Sequence, residues 1–367
     1  MAKNSSLIHS ATILCVVTLV GITSAAAQSP APSPGKKSGE VFKNLKVLNN
    51  VPSDLLLPSM EFITSSLGVH CEYCHVEKAF EKDDKKPKQT AREMMRMVHE
   101  INSTTFQGKQ EVTCYSCHRG SPRALTVPVI AKVPPRLVSD AVAEDPAAAA
   151  GQPSPSDIIS KYIAARAGTS ELSALTSLEE RGTFESDSRG FPAELYVTRS
   201  GRSATVIHLP GADRVTAFDG TSGWLSSPGR PARPLSQAEV DAIRLNADLQ
   251  FGVDLNAVFP EIKFGGFAKV GAADAVMLSG RRPGLPPVEL YFDKNSGLLV
   301  RTVYYSPSAL GMNPTQTDYS DYRRIGPVKV SFRWTSSTPT GRFNIQLVSA
   351  RANANIPEEV FTRRERK

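Results

Sequence analysis

CEYCH at residues 71–75 and CYSCH at residues 114–118 decide how this chain is read. In each pentapeptide two thiols stand three positions apart and a histidine follows the second at once. Thiols at that spacing match the two vinyl groups of one haem, and the adjacent imidazole then reaches the iron from the same side. Four of the five cysteines and two of the six histidines fall in these segments. The pattern predicts two covalently bound haem c groups, held by Cys71 and Cys74 and by Cys114 and Cys117, with His75 and His118 as axial ligands. Zinc fits less well, because 39 residues separate Cys74 from Cys114, against about 15–20 in a zinc ribbon. A thioredoxin-like pair would need a βαβ setting that the sequence around residue 71 lacks. A disulfide within C-x-x-C is usually labile or catalytic.

The sixth ligand of each iron decides its redox chemistry, so the segments upstream matter. In SMEFITSSL (59–67) Met60, Ile63 and Leu67 recur at helical spacing before Gly68, with Pro58 tolerated in the first turn. Met60 precedes Cys71 by 11 residues. His70 is a rival, but immediately beside Cys71 it lacks the chain length to cross to the far face of the porphyrin. In the second unit Thr90-Ala91-Arg92-Glu93 reads as a capping box that opens a helix at Ala91. Ala91, Met94, Val98 and Ile101 share a face of that helix, with Met95, Arg96 and His99 turned away to differing degrees. Met94 precedes Cys114 by 20 residues, and Met97 and His99 compete with it. Methionine on a helix, a return segment and C-x-x-C-H thus occur twice, as duplication would produce.

The stretch from VFKNLKVLNNV through Met60, LGVHCEYCH, ARE-Met94-MRMVHEIN and VTCYSCHRG resembles the first two haem units of the photosynthetic reaction centre cytochrome c subunit family. The similarity covers about residues 40–124. It implies Met60 and Met94 as sixth ligands and two low-spin His/Met haems close enough to exchange electrons. The sequence departs from the family in two ways. No C-x-x-C-H follows residue 118, although the family has four haems. The return segment STTFQGKQEVT (103–113) lacks the histidine that the family uses to serve another haem. A dihaem carrier that reuses half of the family's subunit is the economical expectation.

Residues 1–27 carry a single charge, Lys3, an apolar run from Ala11 to Gly21, and Ala25-Ala26-Ala27 before Gln28. That layout predicts an export signal cleaved near Ala27 and a periplasmic product. Cys15 leaves with it. A Pro/Ser tether follows at 28–39, the haem domain at 40–124 and a Pro/Ala-rich linker at 125–154. With 367 residues, 40% hydrophobic and 22% charged, the chain has room for two folded domains. The net charge of +7 is spread along the chain, where a nucleic-acid binder would concentrate it, so no nucleic-acid partner is expected.

Residues 155–367 predict an α+β binding domain. Ser154-Pro155-Ser156-Asp157 places a cap, an N1 proline and an N3 carboxylate ahead of Ile158, and Ser236 with Glu239 forms a second capping box. Between and beyond them lie strand-like segments at 194–199, 203–209, 214–219, 288–293, 298–305, 317–323, 328–334 and 343–350. Successive antiparallel strands with helices laid against them suggest a curved sheet, a half-barrel. FDGTSGW (218–224), FDKNSGLLVRTVYY and YSDYRRIGPVKVSFRW resemble the hairpins of the periplasmic lipoprotein-carrier and localisation fold, which implies room for an apolar ligand. His208 alternates within a strand and reads as a sheet residue, and no nucleophile–base pair or phosphate loop is evident.

The expectation is therefore a mainly α dihaem cytochrome module followed by an antiparallel half-barrel, relaying electrons to membrane-bound or soluble redox partners without catalysing a reaction. A peroxidase-like dihaem enzyme with one open haem is one alternative. A hydrophobe-binding periplasmic protein with accessory haems is the other.

Overall fold

A computed structural model describes residues 35–124, 152–186, 188–339 and 341–362. The expected leader at 1–27, most of the tether and most of the linker lie outside them. Among the described residues no helix is long and apolar enough to cross a membrane.

The N-terminal part is helical: α1 (Ser38–Val41), α2 (Leu56–Leu67), α3 (Lys86–Thr105) and α4 (Cys114–His118). Helix α2 begins three residues earlier than the Met60 stripe suggested, because a 3-10 turn at Ser53–Leu55 leads straight into it. It stops at Gly68, whose φ of 66° is the left-handed conformation that ends helices and that glycine adopts without steric cost. Gly68 also lies against the backbone of Gly120, too close for any side chain, and Gly120 N donates to Ser66 O at 2.9 Å. The end of α2 is thereby locked to the chain just after His118.

Helix α3 opens at Lys86, not at Ala91 as the Thr90/Glu93 box suggested. Pro87 lies in its first turn, where a fixed φ and a missing N–H cost nothing, so Thr90 already sits inside the helix and turns its hydroxyl back to Lys86 O at 3.4 Å. The buried residues of α3 are Lys88, Met95 and Asn102. Spaced by seven, they form one inward stripe. Met95 is therefore the packed methionine of the helix: it fills the core as a helical methionine commonly does, although the helical spacing had set it off the Met94 face.

The C-terminal part holds α5 (Pro155–Arg166), α6 (Thr169–Ala174), α7 (Gln237–Phe251), α8 (Leu255–Val258) and thirteen strands. The strands are β1 (Ser177–Ser186), β2 (Arg189–Thr198), β3 (Ser203–Leu209), β4 (Ala212–Phe218), β5 (Gly223–Ser227), β6 (Arg230–Pro234), β7 (Glu261–Val270), β8 (Ala273–Arg281), β9 (Val288–Asp293), β10 (Leu299–Ser308), β11 (Gly311–Ile325), β12 (Val328–Thr338) and β13 (Gly341–Ala352). They form one sheet in the order β6-β5-β4-β3-β2-β1-β13-β12-β11-β10-β9-β8-β7. Every pairing is antiparallel, the sheet is not closed, and β1 beside β13 joins two meanders.

That order forces the chain to pass from one edge, β6, to the other, β7, and α7 makes the crossing over one face. Its side chains accordingly enter three clusters in turn. Val240 packs with Phe218 and Leu235, Leu245 and Leu249 with Phe259, Leu290 and Phe292, and Ala247 and Phe251 with Leu178, Val330 and Leu347. Helix α5 joins through Ile158, Ile159 and Tyr162. Both predicted caps form: Ser154 Oγ accepts from Asp157 N at 3.1 Å, and Glu239 Oε2 accepts from Ser236 N at 2.8 Å. Buried Arg166 at the end of α5 donates to the carbonyls of Leu249, Gln250 and Lys329, which binds both helices to β12.

The helical and sheet parts touch. Helix α2 lies against β10 and β11, so the two parts are docked on one another as well as joined by chain.

Candidate haem sites

The two cysteine–histidine segments adopt short helical turns. Cys71–Tyr73 is a 3-10 turn with Cys74 at its end, and Cys114–His118 is α4 itself. Such turns bring thiols at i and i+3 to one side of the backbone and set the following imidazole close by. All four thiols are unpaired. Burial pushes the Cys74 and Cys114 thiols up, towards the neutral form.

Both imidazoles are held in the same way. His75 Nδ1 lies 2.9 Å from Phe80 O, and His118 Nδ1 lies 2.9 Å from Ser121 O. A carbonyl can only accept, so each Nδ1 carries the hydrogen and each Nε2 keeps its lone pair, the tautomer an axial ligand needs. Burial lowers the His75 pKa, which favours the same neutral form. Phe80 O also receives Lys88 Nζ at 2.8 Å. The buried Lys88 ammonium donates as well to Lys82 O at 2.6 Å and pairs with Asp83 at 3.1 Å. Arg92 forks onto Asp83 at 2.9 and 3.0 Å and reaches Asn44 O at 3.1 Å. The Arg92 guanidinium holds the Asp83 carboxyl well below the usual carboxylate range. The loop behind His75 is thus stitched to α3 by two cations.

Asn102, at the other end of the α3 stripe, does the corresponding work for the second unit. Its Nδ2 donates to Val112 O at 2.7 Å, and its Oδ1 accepts from the N–H groups of Glu111 and Val112 at 3.2 and 2.9 Å. The return segment is thereby delivered to Cys114. Lys88 and Asn102 escaped the sequence reading because a lysine and an asparagine on a helix look like solvated surface. Their spacing of seven from Met95 was the available signal.

Met94, Cys114, Cys117 and His118 line a single cleft of about 270 Å³, partly open to solvent, with Ile63 and Leu67 of α2 and Val98 of α3 in its walls. The second predicted ligand set is therefore brought together. Met97 lines the same cleft, and at 43% exposure against 37% for Met94 it is no more hidden. His99 is exposed and does not line it. Of the first set, Cys74 lines this same cleft, whereas Met60, Cys71 and His75 do not. Met60 is half-buried on α2, between Ser59 and Glu61. Among the described residues no three His, Cys, Asp or Glu side chains cluster as a metal site would require, so the two cysteine pairs do not converge on one tetrahedral centre. His208 pairs with Asp213 at 3.0 Å on the sheet.

Two thiols, an imidazole presenting Nε2 and a thioether around a cleft with apolar walls make up the donor set of a c-type haem. The residues present fit that group.

Comparison with known proteins finds likeness to c-type cytochromes over the N-terminal part. Residues 16–172 match the family model described as photosynthetic reaction centre cytochrome C subunit. The photosynthetic reaction center cytochrome c subunit of Thermochromatium tepidum is 34% identical over 96 residues, 25% of this chain and 24% of that protein. The subunit of the same name from Rubrivivax gelatinosus is 34% identical over 104 residues, 26% of this chain and 28% of that protein. The chain thus spans about a quarter of the length of these relatives. In structure it is similar to a LolA superfamily protein from Nitrosomonas europaea, with a TM-score of 0.39 and 12% identity, over 58% of this chain and 99% of that one.

Proposed function

We propose that residues 40–124 form a dihaem c-type electron-transfer module, exported by cleavage near Ala27 and carried on a sheet domain at 155–367. Each haem would supply reversible one-electron chemistry at its iron. Cys114 and Cys117 would hold the second group by thioether bonds, with His118 and Met94 on its iron. Cys71, Cys74, His75 and Met60 would hold the first. The observation that carries this reading is the convergence of Met94, Cys114, Cys117 and His118 on one cleft, together with matching Nδ1–carbonyl bonds at both histidines.

The chain's own residues then have defined tasks. Phe80 O and Ser121 O fix the imidazole rings and leave Nε2 free. Ile63, Leu67 and Val98 give the second centre apolar walls on a cleft that is partly open to solvent, and a thioether ligand there would favour the ferrous state. With histidine and methionine on each iron no position remains for an external molecule, which suits a relay between redox partners rather than an oxidase or peroxidase. The resemblance to reaction-centre subunits supports the module and not the partners, so donor and acceptor are left as redox proteins of the same compartment.

A spectroelectrochemical titration of the exported holoprotein, with cyanide added to the ferric form at neutral pH, tests the proposal. Two one-electron steps and slow, incomplete cyanide binding are expected. Rapid cyanide binding at either haem would mean an open iron and would favour the peroxidase-like reading.

A further inference from the structure

The sheet domain grips the haem module at the tip of the β10–β11 hairpin, Ser308–Gly311. Ser308 stiffens this tip: its Oγ donates to Gly311 O at 2.8 Å and accepts from the N–H groups of Leu310 and Gly311 at 3.2 and 3.1 Å. Ala309 within it turns both backbone polar groups on the haem module. Its N–H donates to Ser59 Oγ at 3.0 Å, and its carbonyl accepts from Gln110 Nε2 at 3.2 Å. Beside the tip, Asn313 Nδ2 donates to Pro58 O at 3.0 Å. Ser59 is fully buried and passes its own hydrogen to Leu55 O at 2.7 Å, so its hydroxyl is committed on both sides. Phe62 lies so close to Gly311 that a Cβ there would be 2.5 Å from its ring carbons. Glu61, on the same stretch of helix, lies in the field of Arg233 on β6 and Glu239 on α7.

These contacts lie beside residues that would hold both haems. Pro58, Ser59, Glu61 and Phe62 flank Met60. Gln110 stands four residues before Cys114. Ile63 and Leu67 of the same helix line the Met94 cleft. One rigid hairpin tip therefore fixes α2 and the return segment to Cys114 relative to one another. A thioether–iron bond is weak and its strength depends on how the sulfur is held, and solvent access sets how strongly the ferric charge is favoured.

We propose that the β10–β11 tip is a positioning clamp, by which the sheet domain raises the reduction potential of the haem module above the value it has with the clamp released. This rests on the two-haem reading above. Tight seating of α2 would hold Met60 in place for the first iron and keep Ile63 and Leu67 in the wall of the second cleft, and both would favour the ferrous state.

The test uses the full-length holoprotein and two sets of substitutions that leave the net charge unchanged. Gly311→Val drives a branched side chain into Phe62. Asn313→Leu with Gln110→Met removes two donors without intruding on the core, and carries the test should the valine variant fail to fold. Two haems per chain are expected in wild type and variants alike, with a lower midpoint for at least one haem and a weaker ferric methionine–iron absorption band in the variants. Gly311→Ala should fall between wild type and Gly311→Val. Midpoints and band coinciding with wild type in both sets would overturn the clamp alone. A wild-type chain that carries no haem would overturn both the clamp and the functional reading, and is recognised before any variant is compared.

Discussion

Gly68→Ala is expected to destabilise the haem module by about 2–3 kcal/mol through two separable effects. Gly68 ends α2 at φ 66°, and an alanine held in the left-handed region costs about 1 kcal/mol. Its methyl group would also meet the Gly120 carbonyl, which is backbone and cannot rotate aside. Relief requires α2 and the segment after His118 to separate, which breaks the Gly120 N to Ser66 O bond of 2.9 Å. That loss is worth about 1 kcal/mol or somewhat more. For a module of this size each kcal/mol moves the thermal midpoint by about 4–8 °C, so a fall of about 8–24 °C is expected. Gly120→Ala serves as the control. Its φ of 82° carries the same conformational cost, but a Cβ there meets nothing within 4 Å, so a loss of only about 1 kcal/mol is expected. Thermal unfolding followed by visible-region circular dichroism of the haems isolates this module from the sheet. Equal losses for the two variants, or less than about 0.5 kcal/mol for Gly68→Ala, would refute the idea that the end of α2 is locked to the second haem segment.

Three further outcomes follow from the site and the sheet. Met94→Ala should convert one ferric haem to the high-spin form, whereas Met97→Ala should leave both low-spin; the reverse result would give the sixth position to Met97. Lys88→Met should destabilise the haem module by about 1–2 kcal/mol, because the loop behind His75 loses the buried ammonium that ties the Phe80 and Lys82 carbonyls and Asp83 to α3; chemical denaturation read at the haem checks it, and a loss below about 0.5 kcal/mol would show that the loop is held otherwise. Buried Glu180 on β1 has its pKa pushed up to about 7 by desolvation, with Arg166 opposing. The folded state therefore binds the proton more tightly than the unfolded chain does. The resulting stability is complete below pH about 4.5, declines as pH rises towards 7 and stays lost above it, by about 3 kcal/mol in all. Glu180→Gln should flatten that decline and raise the melting temperature at pH 8, and an unchanged pH profile would contradict it.

How much of this architecture could be read beforehand varied with the kind of signal. The cysteine–histidine segments were legible as a repeated pair, since their residues stand at one fixed spacing, and each forms a short helical turn. The caps at Ser154 and Ser236 and the strands β3 and β9 were legible because local chemistry and alternation agreed. Five strands, β1 and β5 to β8, escaped notice, four of them for identifiable physical reasons. In β1 the run SLEERGTFES buries Glu179 and Glu180, reversing the usual sign of the pattern. In β7 the Gly265-Gly266 pair carries a register shift that interrupts the alternation of Ile262, Phe264 and Phe267. The segments RPARP of β6 and GWLSS of β5 are short and sit at one edge, where burial does not dictate apolar residues. The docking of α2 on β10–β11 was illegible because it depends on Ser59, Gly311 and Asn313, residues whose contacts lie some 250 positions apart in sequence. The start of α3 was misplaced because a genuine capping-box pattern at Thr90 was overridden by Pro87.

The same docking bears on the sheet domain itself. The face that could offer an apolar ligand a surface carries α5 and α7, whose side chains complete the clusters around Phe292 and Leu347. A cleft remains at the N-terminal end of α5, where Ile158, Val276 and Phe292 meet Phe267 and Lys294. The clearest structural task of this domain lies at the opposite concern, its hold on the helix that carries Met60.

The central claim is that each of the two segments binds one porphyrin through sulfur. A pyridine haemochrome assay joined to intact-mass determination, on chain produced in a host able to mature cytochromes, tests it most directly. Two haems per chain, with a mass equal to the processed polypeptide plus two haem groups and retained under denaturation, are predicted. A colourless product, or haem that dissociates when the chain unfolds, would contradict it.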